Sequence, residues 1–155
     1  MKWWYGLVFN TVLIILVLLT AIVVRTPKLT VVDSETGKKY GQWSIQREDF
    51  FSIEFIHSVH QSPVIETFRV EKNAIYSYSV KFYDFGAGMQ TNKEDGQTLT
   101  RDGEAFVLKG LNRSFKELNY IVGTVSDHIL TVNNIPISLR ELCGRNAHIR
   151  IFVTS

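Results

Sequence analysis

Apolar and polar side chains alternate in short runs along most of the chain beyond residue 26. A period of two places successive side chains on opposite faces, which is typical of β-strands with one buried face. Besides two runs within 50–71, runs of this kind occupy residues 29–33, 40–45, 74–85, 104–109, 118–125, 128–132 and 148–153. Eight or more short strands predict a mainly β fold, either an antiparallel sandwich or a partly open barrel.

The residues between these runs predict two tight connections and one short helix. Residues 34–39 (SETGKK) favour the turn of an opening hairpin. Two asparagines at 133–134 tolerate positive φ and therefore suit a tight turn. Ser138 and Glu141 have the spacing of a capping box, so we expect a short helix that begins after Ser138 and is ended by Gly144.

The two runs within residues 50–71 each carry one polar side chain on the face that should be buried. In the first run, alternation places His57 on the same face as the apolar side chains. In the second run, it places Glu66 there too. We expect the two strands to form a hairpin that turns between Gln61 and Ser62.

The register of this hairpin decides which side chains meet across it. A turn at that position pairs Phe55 with Phe68. The same register pairs His57 with Glu66, which places an imidazole and a carboxylate side by side at the loop end of the core. A carboxylate fixes the tautomer of an imidazole and raises its pKa, so the pair suits a proton carrier, a ligand-binding group or a structural hydrogen bond.

A catalytic interpretation would add Ser58 to this pair as a nucleophile, with His57 as base and Glu66 orienting the imidazole. Adjacent residues of an extended strand point to opposite faces, which keeps the Ser58 hydroxyl away from the ring. The surrounding sequence also has no glycine pattern of a nucleophile elbow. We therefore expect no catalytic residues and no enzymatic activity.

A metal site is the other chemical alternative at this hairpin. His57, His60 and Glu66 supply three plausible donors, and His128 or His148 would be a fourth if the fold brought it near. A spacing of three, however, sends two histidines of a strand to opposite faces. We therefore predict no bound metal and no cofactor.

The N-terminal part of the chain predicts a membrane anchor. An 18-residue run without a charge begins at Leu7 and ends at Val24, which is just long enough to span a bilayer. Aromatic residues at 3–5 precede it, as is typical of the headgroup level. Residues 21–24 (AIVV) fit a signal peptidase site poorly, so we expect the segment to stay uncleaved.

The predicted organisation is therefore a transmembrane anchor over residues 1–25, followed by one β domain over residues 26–155. Lys2 precedes the span, whereas Arg25 and Lys28 follow it. Counting positive charges alone would place the β domain on the cytoplasmic side.

Charge and cysteine content narrow the possible functions of the β domain. The formal net charge is only +2 and the two signs are interspersed, so nucleic acid binding is not expected. Cys143 is the only cysteine in the sequence, and an internal disulfide is therefore impossible.

A long polar interruption follows the strand that ends near residue 85. Residues 86–103 (GAGMQTNKEDGQTLTRDG) have little apolar content and no sustained period, which predicts a mobile loop or a lid. Gly86 and Gly88 would allow the backbone to come close to another group. Without a following helix start and lysine, they do not indicate a phosphate-binding loop.

The segments FIHSVHQSPVIETF and DFGAGM resemble the signature of a small family of uncharacterised bacterial proteins. The matching positions are His57, Ser58, Val59, Pro63, Glu66, Phe85, Gly86, Ala87 and Gly88. The resemblance implies one N-terminal span and a β-rich extracytoplasmic domain. It also implies genes that lie beside tripartite ATP-independent periplasmic (TRAP) transporters of the TAXI class.

Together these observations predict a single-pass protein of the cell membrane whose extracytoplasmic β domain is a binding or accessory module. The resemblance associates this module with a TRAP-type solute transporter. The residues expected to contact a ligand or partner are His57, Ser58, Pro63, Glu66, Gly86 and Gly88. The alternatives are a metal-binding or hydrolytic enzyme centred on His57 and Glu66, and a purely structural envelope protein.

Overall fold

The computed structural model describes residues 10–11, 26–46, 48–71, 73–84 and 94–154. Within residues 26–154 the described parts form twelve β-strands and one short helix. In chain order they are β1 (Lys28–Asp33), β2 (Lys39–Ser44), β3 (Phe50–Ile56), β4 (Pro63–Glu71), β5 (Ala74–Phe82), β6 (Thr98–Asp102), β7 (Ala105–Lys109), β8 (Ser114–Phe115), β9 (Glu117–Ile121), β10 (His128–Val132), β11 (Ile135–Ser138), α1 (Leu139–Cys143) and β12 (His148–Thr154). The mainly β fold predicted from the alternation is confirmed.

The strands form two antiparallel sheets. The smaller sheet has the order β2-β1-β12-β9. The larger has the order β11-β10-β3-β4-β5-β7-β6, and β8 pairs with β5 beside this path. Along the described strands the two sheets are separate, and neither closes into a barrel.

The main hydrophobic core lies between the two sheets. Strands β1 and β12 contribute Val31 and Ile151 from the smaller sheet, and β3 contributes Phe51 and Ile53 from the larger one. All four side chains are almost completely buried. Burying apolar surface stabilises a fold by about 25 cal/mol per Å², so this layer is the main source of stability.

The turn and the helix ends predicted from residue types that favour a particular backbone conformation are present in the structure. Asn133 and Asn134 have φ of 52° and 62° in the turn between β10 and β11. The Ser138 hydroxyl accepts a hydrogen bond from the Glu141 amide at 3.0 Å, which caps α1. Gly144 follows the helix with φ of 96°, a conformation that favours glycine.

Part of the predicted long loop is a strand. Residues 98–102 form β6, which pairs with β7 at the edge of the larger sheet. Only Leu99 of β6 is half-buried and the other four side chains are exposed, so the segment lacked the apolar alternation that marks a strand in sequence. Gly86 and Gly88, and most of the predicted lid, lie outside the described residues.

The register predicted for the hairpin of β3 and β4 was wrong by four residues. Phe68 lies opposite Phe51, with the two rings stacked at a centroid distance of 5.2 Å, and not opposite Phe55. The connection is a six-residue loop over 57–62, here named the His57 loop, and not a tight turn. Because four is an even shift, every side chain stays on its predicted face, so alternation could not distinguish the two registers.

The predicted membrane span falls almost wholly outside the described residues. Of the run from Leu7 to Val24, the structure describes only Asn10 and Thr11, both helical. No helix within the described ranges is long and apolar enough to cross a bilayer.

Candidate functional site

A cavity of about 560 Å³ lies between the larger sheet and strand β9 of the smaller sheet. This volume is within the range of pockets that hold small molecules. Much of its wall is apolar and aromatic, with contributions from Phe55, Val64, Phe68, Phe82, Leu108 and Phe115. A few polar side chains, Glu66 and Tyr120 among them, converge on the same space.

Glu66 is the most buried acidic group of the cavity. It lies on β4 opposite Ile53 of β3 and Val80 of β5, on the face that also carries Phe68. The prediction that this carboxylate points toward the core is therefore confirmed. Its predicted cross-strand partner was wrong, because Ile53 occupies the position that the sequence had assigned to His57.

The partner of Glu66 comes from the other sheet. The Tyr120 hydroxyl, on β9, donates a hydrogen bond of 2.5 Å to Oε2 of Glu66. Burial raises the pKa of Glu66, and the hydrogen bond from Tyr120 lowers it in part. Burial, together with the neighbouring carboxylate, raises the pKa of Tyr120, so the phenol keeps its proton.

No lysine, arginine or histidine nitrogen among the described residues lies within 4.0 Å of the Glu66 carboxylate. A carboxylate offers about four acceptor positions, of which the Tyr120 hydroxyl fills one. Glu66 can therefore accept further hydrogen bonds from a group that enters the cavity.

His57 lines the same cavity, but its ring makes hydrogen bonds within the His57 loop, of which it is the first residue. Its Nδ1 atom accepts hydrogen bonds from the amides of Val59 and His60, each at 3.3 Å. Its backbone carbonyl accepts from the Gln61 amide at 2.9 Å, which closes the His57 loop. The imidazole thus stabilises the loop by itself, and the structure gives it a different role from the predicted pairing with Glu66.

The other predicted contact residues differ in their positions. Ser58 is exposed in the His57 loop, and its carbonyl accepts a hydrogen bond from the Gln61 side chain at 2.6 Å. Pro63 is the half-buried first residue of β4, opposite Ile56. Neither Ser58 nor Pro63 lines the cavity. Both stay predictions for a partner surface.

The donors considered for a metal site are not brought together. Among the described residues, no three His, Cys, Asp or Glu side chains form a group suited to a metal ion. The rings of His57 and His60 lie 5.2 Å apart within the loop. His128 stacks on Phe55 at 5.2 Å, and His148 is exposed on β12.

Sequence reasoning missed Tyr120 as a functional candidate. The residue lies between the buried Leu118 and Val122, and alternation already placed it on their face. A phenol on a buried face needs a hydrogen-bond partner, and this requirement was the signal in the sequence that Tyr120 belongs to a polar contact. Nothing in the sequence identified Glu66 as this partner, because the two residues are 54 positions apart.

Asp127, which lies just before β10 and outside the cavity lining, was also missed as a structural group. Its carboxylate accepts hydrogen bonds from the Ser138 hydroxyl at 2.5 Å and from the Arg140 amide at 3.0 Å. It thereby connects the start of α1 to the loop before β10. The next residue, His128, packs edge-on toward Tyr120 at 6.0 Å, and burial lowers its pKa.

Replacing Glu66 with glutamine is expected to change the pH dependence of stability. The folded-state pKa of Glu66 lies above its usual 4.5, so this group stabilises the fold fully below its usual pKa and loses that contribution as pH rises through the raised value. Glutamine does not titrate and can still accept from Tyr120. The variant should match the parent near about pH 4 and be more stable than the parent above the raised pKa, as measured by urea unfolding across pH.

The exposed Glu104 supplies the control for this comparison. Glu104→Gln removes the same charge outside the cavity and should leave the pH profile close to that of the parent. Parallel profiles for the parent and Glu66→Gln would contradict the burial argument.

Comparison with known proteins gives one family. The family model for a domain of unknown function, DUF1850, matches residues 51–139. No curated protein matches the chain. No solved structure matches it either.

The matched range has a structural meaning. Apart from Phe50, the first residue of β3, it contains the whole larger sheet together with β9, and therefore both Glu66 and Tyr120. Strands β1, β2 and β12 of the smaller sheet lie outside it. With 89 of its 155 residues matched, the chain belongs to the DUF1850 family, whose domain has no known function.

Proposed function

We propose that this protein is a membrane-anchored binding module whose extracytoplasmic β domain holds a small ligand between its two sheets and assists a TRAP-type solute transporter. The observation that carries the binding role is the cavity of about 560 Å³ in which Glu66 and Tyr120 meet. An apolar cavity with a few converging polar groups is the usual form of a small-molecule site.

An anchor before residue 26 would set the position of the domain relative to a membrane. Lys28 begins β1 and pairs with Ser44, whose carbonyl accepts a hydrogen bond from the Asn133 side chain at 2.8 Å. From this end β3 runs about 20 Å to the His57 loop. An anchored domain would thus hold the His57 loop away from the bilayer, where a soluble partner can reach it.

The association with transport rests on the sequence resemblance and on the uncharged run from Leu7 to Val24. An anchor keeps a binding domain at the membrane surface, which raises its effective concentration near a membrane partner. A module that holds a solute or contacts a solute-binding subunit would benefit from this placement.

The association is tested by isolating the tagged full-length chain from its own membranes in a mild detergent. We expect an integral-membrane or solute-binding subunit of a TRAP transporter to co-purify. A variant with residues 1–25 replaced by an unrelated single span is the control for contacts made by the anchor. No transporter subunit in the isolate, with solute uptake unchanged in a deletion strain, would overturn the accessory role.

The binding role predicts that filling the cavity blocks it. Val80 faces Glu66 in the cavity, whereas the next residue, Lys81, points to the other face and pairs with Asp102 at 2.9 Å. Val80→Trp should weaken binding of the neutral probe 4-phenylbutanol by about tenfold or more, because an indole occupies much of the space. Lys81→Trp loses only an exposed ion pair and should bind as the parent does.

Binding is measured by equilibrium dialysis of the full chain in lipid nanodiscs, with chain-free nanodiscs subtracted. Unfolding by urea is followed in parallel, so that a loss of binding can be separated from a loss of fold. A purely structural domain would show a change in stability for Val80→Trp and no probe binding by the parent.

A further inference from the structure

We propose that the ligand of the cavity is an organic ammonium compound, with a positively charged nitrogen that reaches Glu66 and an apolar body that fills the space between the sheets. This inference rests on the proposed binding function and specifies the chemical class of the ligand.

The charges around the cavity leave one negative group uncompensated. Arg113 lines the cavity but pairs with Glu94 at 3.1 Å. Glu117 also lines it and pairs with Arg150 at 3.3 Å. Among the described residues, only Glu66 contributes a carboxylate to this space without a basic partner, and its one hydrogen bond comes from a neutral phenol.

The surroundings of Glu66 make a cationic ligand favourable. A carboxylate taken out of water needs a positive partner or several hydrogen bonds to offset its lost hydration. Tyr120 supplies one hydrogen bond, and the neighbouring lining residues Phe68 and Val80 supply none from their side chains. An ammonium group would provide both the charge and further donors.

The aromatic wall of the cavity agrees with the same chemistry. The rings of Phe55, Phe68, Phe82, Phe115 and Tyr120 all line it. The face of an aromatic ring attracts a cation through its quadrupole, and this attraction grows when water is excluded. The same rings offer apolar surface to the hydrocarbon part of the ligand.

An anionic ligand fits this arrangement less well. Its charge would lie near Glu66 without an unpaired described arginine or lysine to oppose the repulsion. A neutral ligand of the same shape would gain the apolar contacts and a hydrogen bond to Glu66, without the attraction between opposite charges. The three charge states of one carbon skeleton should therefore bind with different affinities.

The test uses 4-phenylbutylamine, 4-phenylbutanol and 4-phenylbutyrate, which share a skeleton and differ in charge. Each is dialysed against the full chain in nanodiscs of neutral lipid at about pH 8, where the amine is charged. We expect the amine to bind the parent about tenfold or more tightly than the alcohol, and the acid to bind most weakly.

The Glu66→Gln variant separates charge from shape. It should lose the preference for the amine over the alcohol, because the charge is removed and the shape of the cavity is kept. Glu104→Gln lowers the negative charge by the same amount on an exposed surface and should retain the preference.

The outcomes distinguish the two proposals. Binding of the alcohol or the acid at least as tightly as the amine would overturn the ammonium assignment and leave the binding function in place. A preference for the amine that survives Glu66→Gln would overturn it as well. If none of the three probes binds the parent, the proposed binding function fails together with this inference.

Discussion

Replacing Phe51 with alanine is expected to lower the free energy of unfolding by about 4 kcal/mol, as measured by urea denaturation followed by far-ultraviolet circular dichroism. The Phe51 side chain is 2% exposed and stacks on Phe68 in the layer that both sheets share. Removing it loses apolar burial and leaves a void that the rigid sheets cannot close. The expected loss is a large part of the 5–15 kcal/mol typical of a single domain.

The neighbouring Phe50 is the matched control. It has the same side chain on the opposite face of β3, where it is 46% exposed beside Tyr78. Phe50→Ala should cost about 1 kcal/mol or less, since most of what it loses is one edge-to-face ring contact. Similar costs at the two positions would contradict the assignment of Phe51 to the buried face.

The second large effect is expected at Asp127. Asp127→Ala should lower the free energy of unfolding by about 2 kcal/mol, because the Ser138 hydroxyl and the Arg140 amide both lose a charged acceptor. The start of α1 would then have no connection through this carboxylate to the loop before His128. Urea denaturation of the full chain measures the loss.

Two further variants test this explanation. Asp127→Asn keeps the shape and one acceptor oxygen, so its cost should be smaller than that of the alanine variant. Asp84→Ala removes an exposed carboxylate elsewhere in the larger sheet region and should change stability by less than about 0.5 kcal/mol. A cost at Asp127 no greater than that at Asp84 would exclude the proposed connection.

The strands that sequence identified most accurately are those with strong local patterns. The run over 128–132 has the predicted bounds of β10, and β12 extends the predicted run by one residue. The two edge strands of the larger sheet, Thr98–Asp102 and Ile135–Ser138, were missed, because neither has a sustained apolar alternation. Local chemistry was enough for the turn at 133–134 and for the cap at Ser138.

The candidate site was predicted only in part. Alternation identified Glu66 as a polar group on a buried face, and this was correct. The choice of His57 as its partner depended on a register that the sequence leaves open. Tyr120 reaches Glu66 from the other sheet, across 54 positions of chain, and no local pattern carries that information.

The amino-acid sequence by itself determined which face of each strong strand is buried, where the tight turn at 133–134 lies and that Glu66 points inward. Side-chain alternation and backbone preferences are local properties, so a single strand or turn is enough to reveal them. The tertiary structure alone decided the register of β3 and β4, the pairing of Glu66 with Tyr120 and the existence of the cavity. These three features depend on how the two sheets pack. An even shift of register between strands changes all three, although every side chain stays on its own face of the sheet.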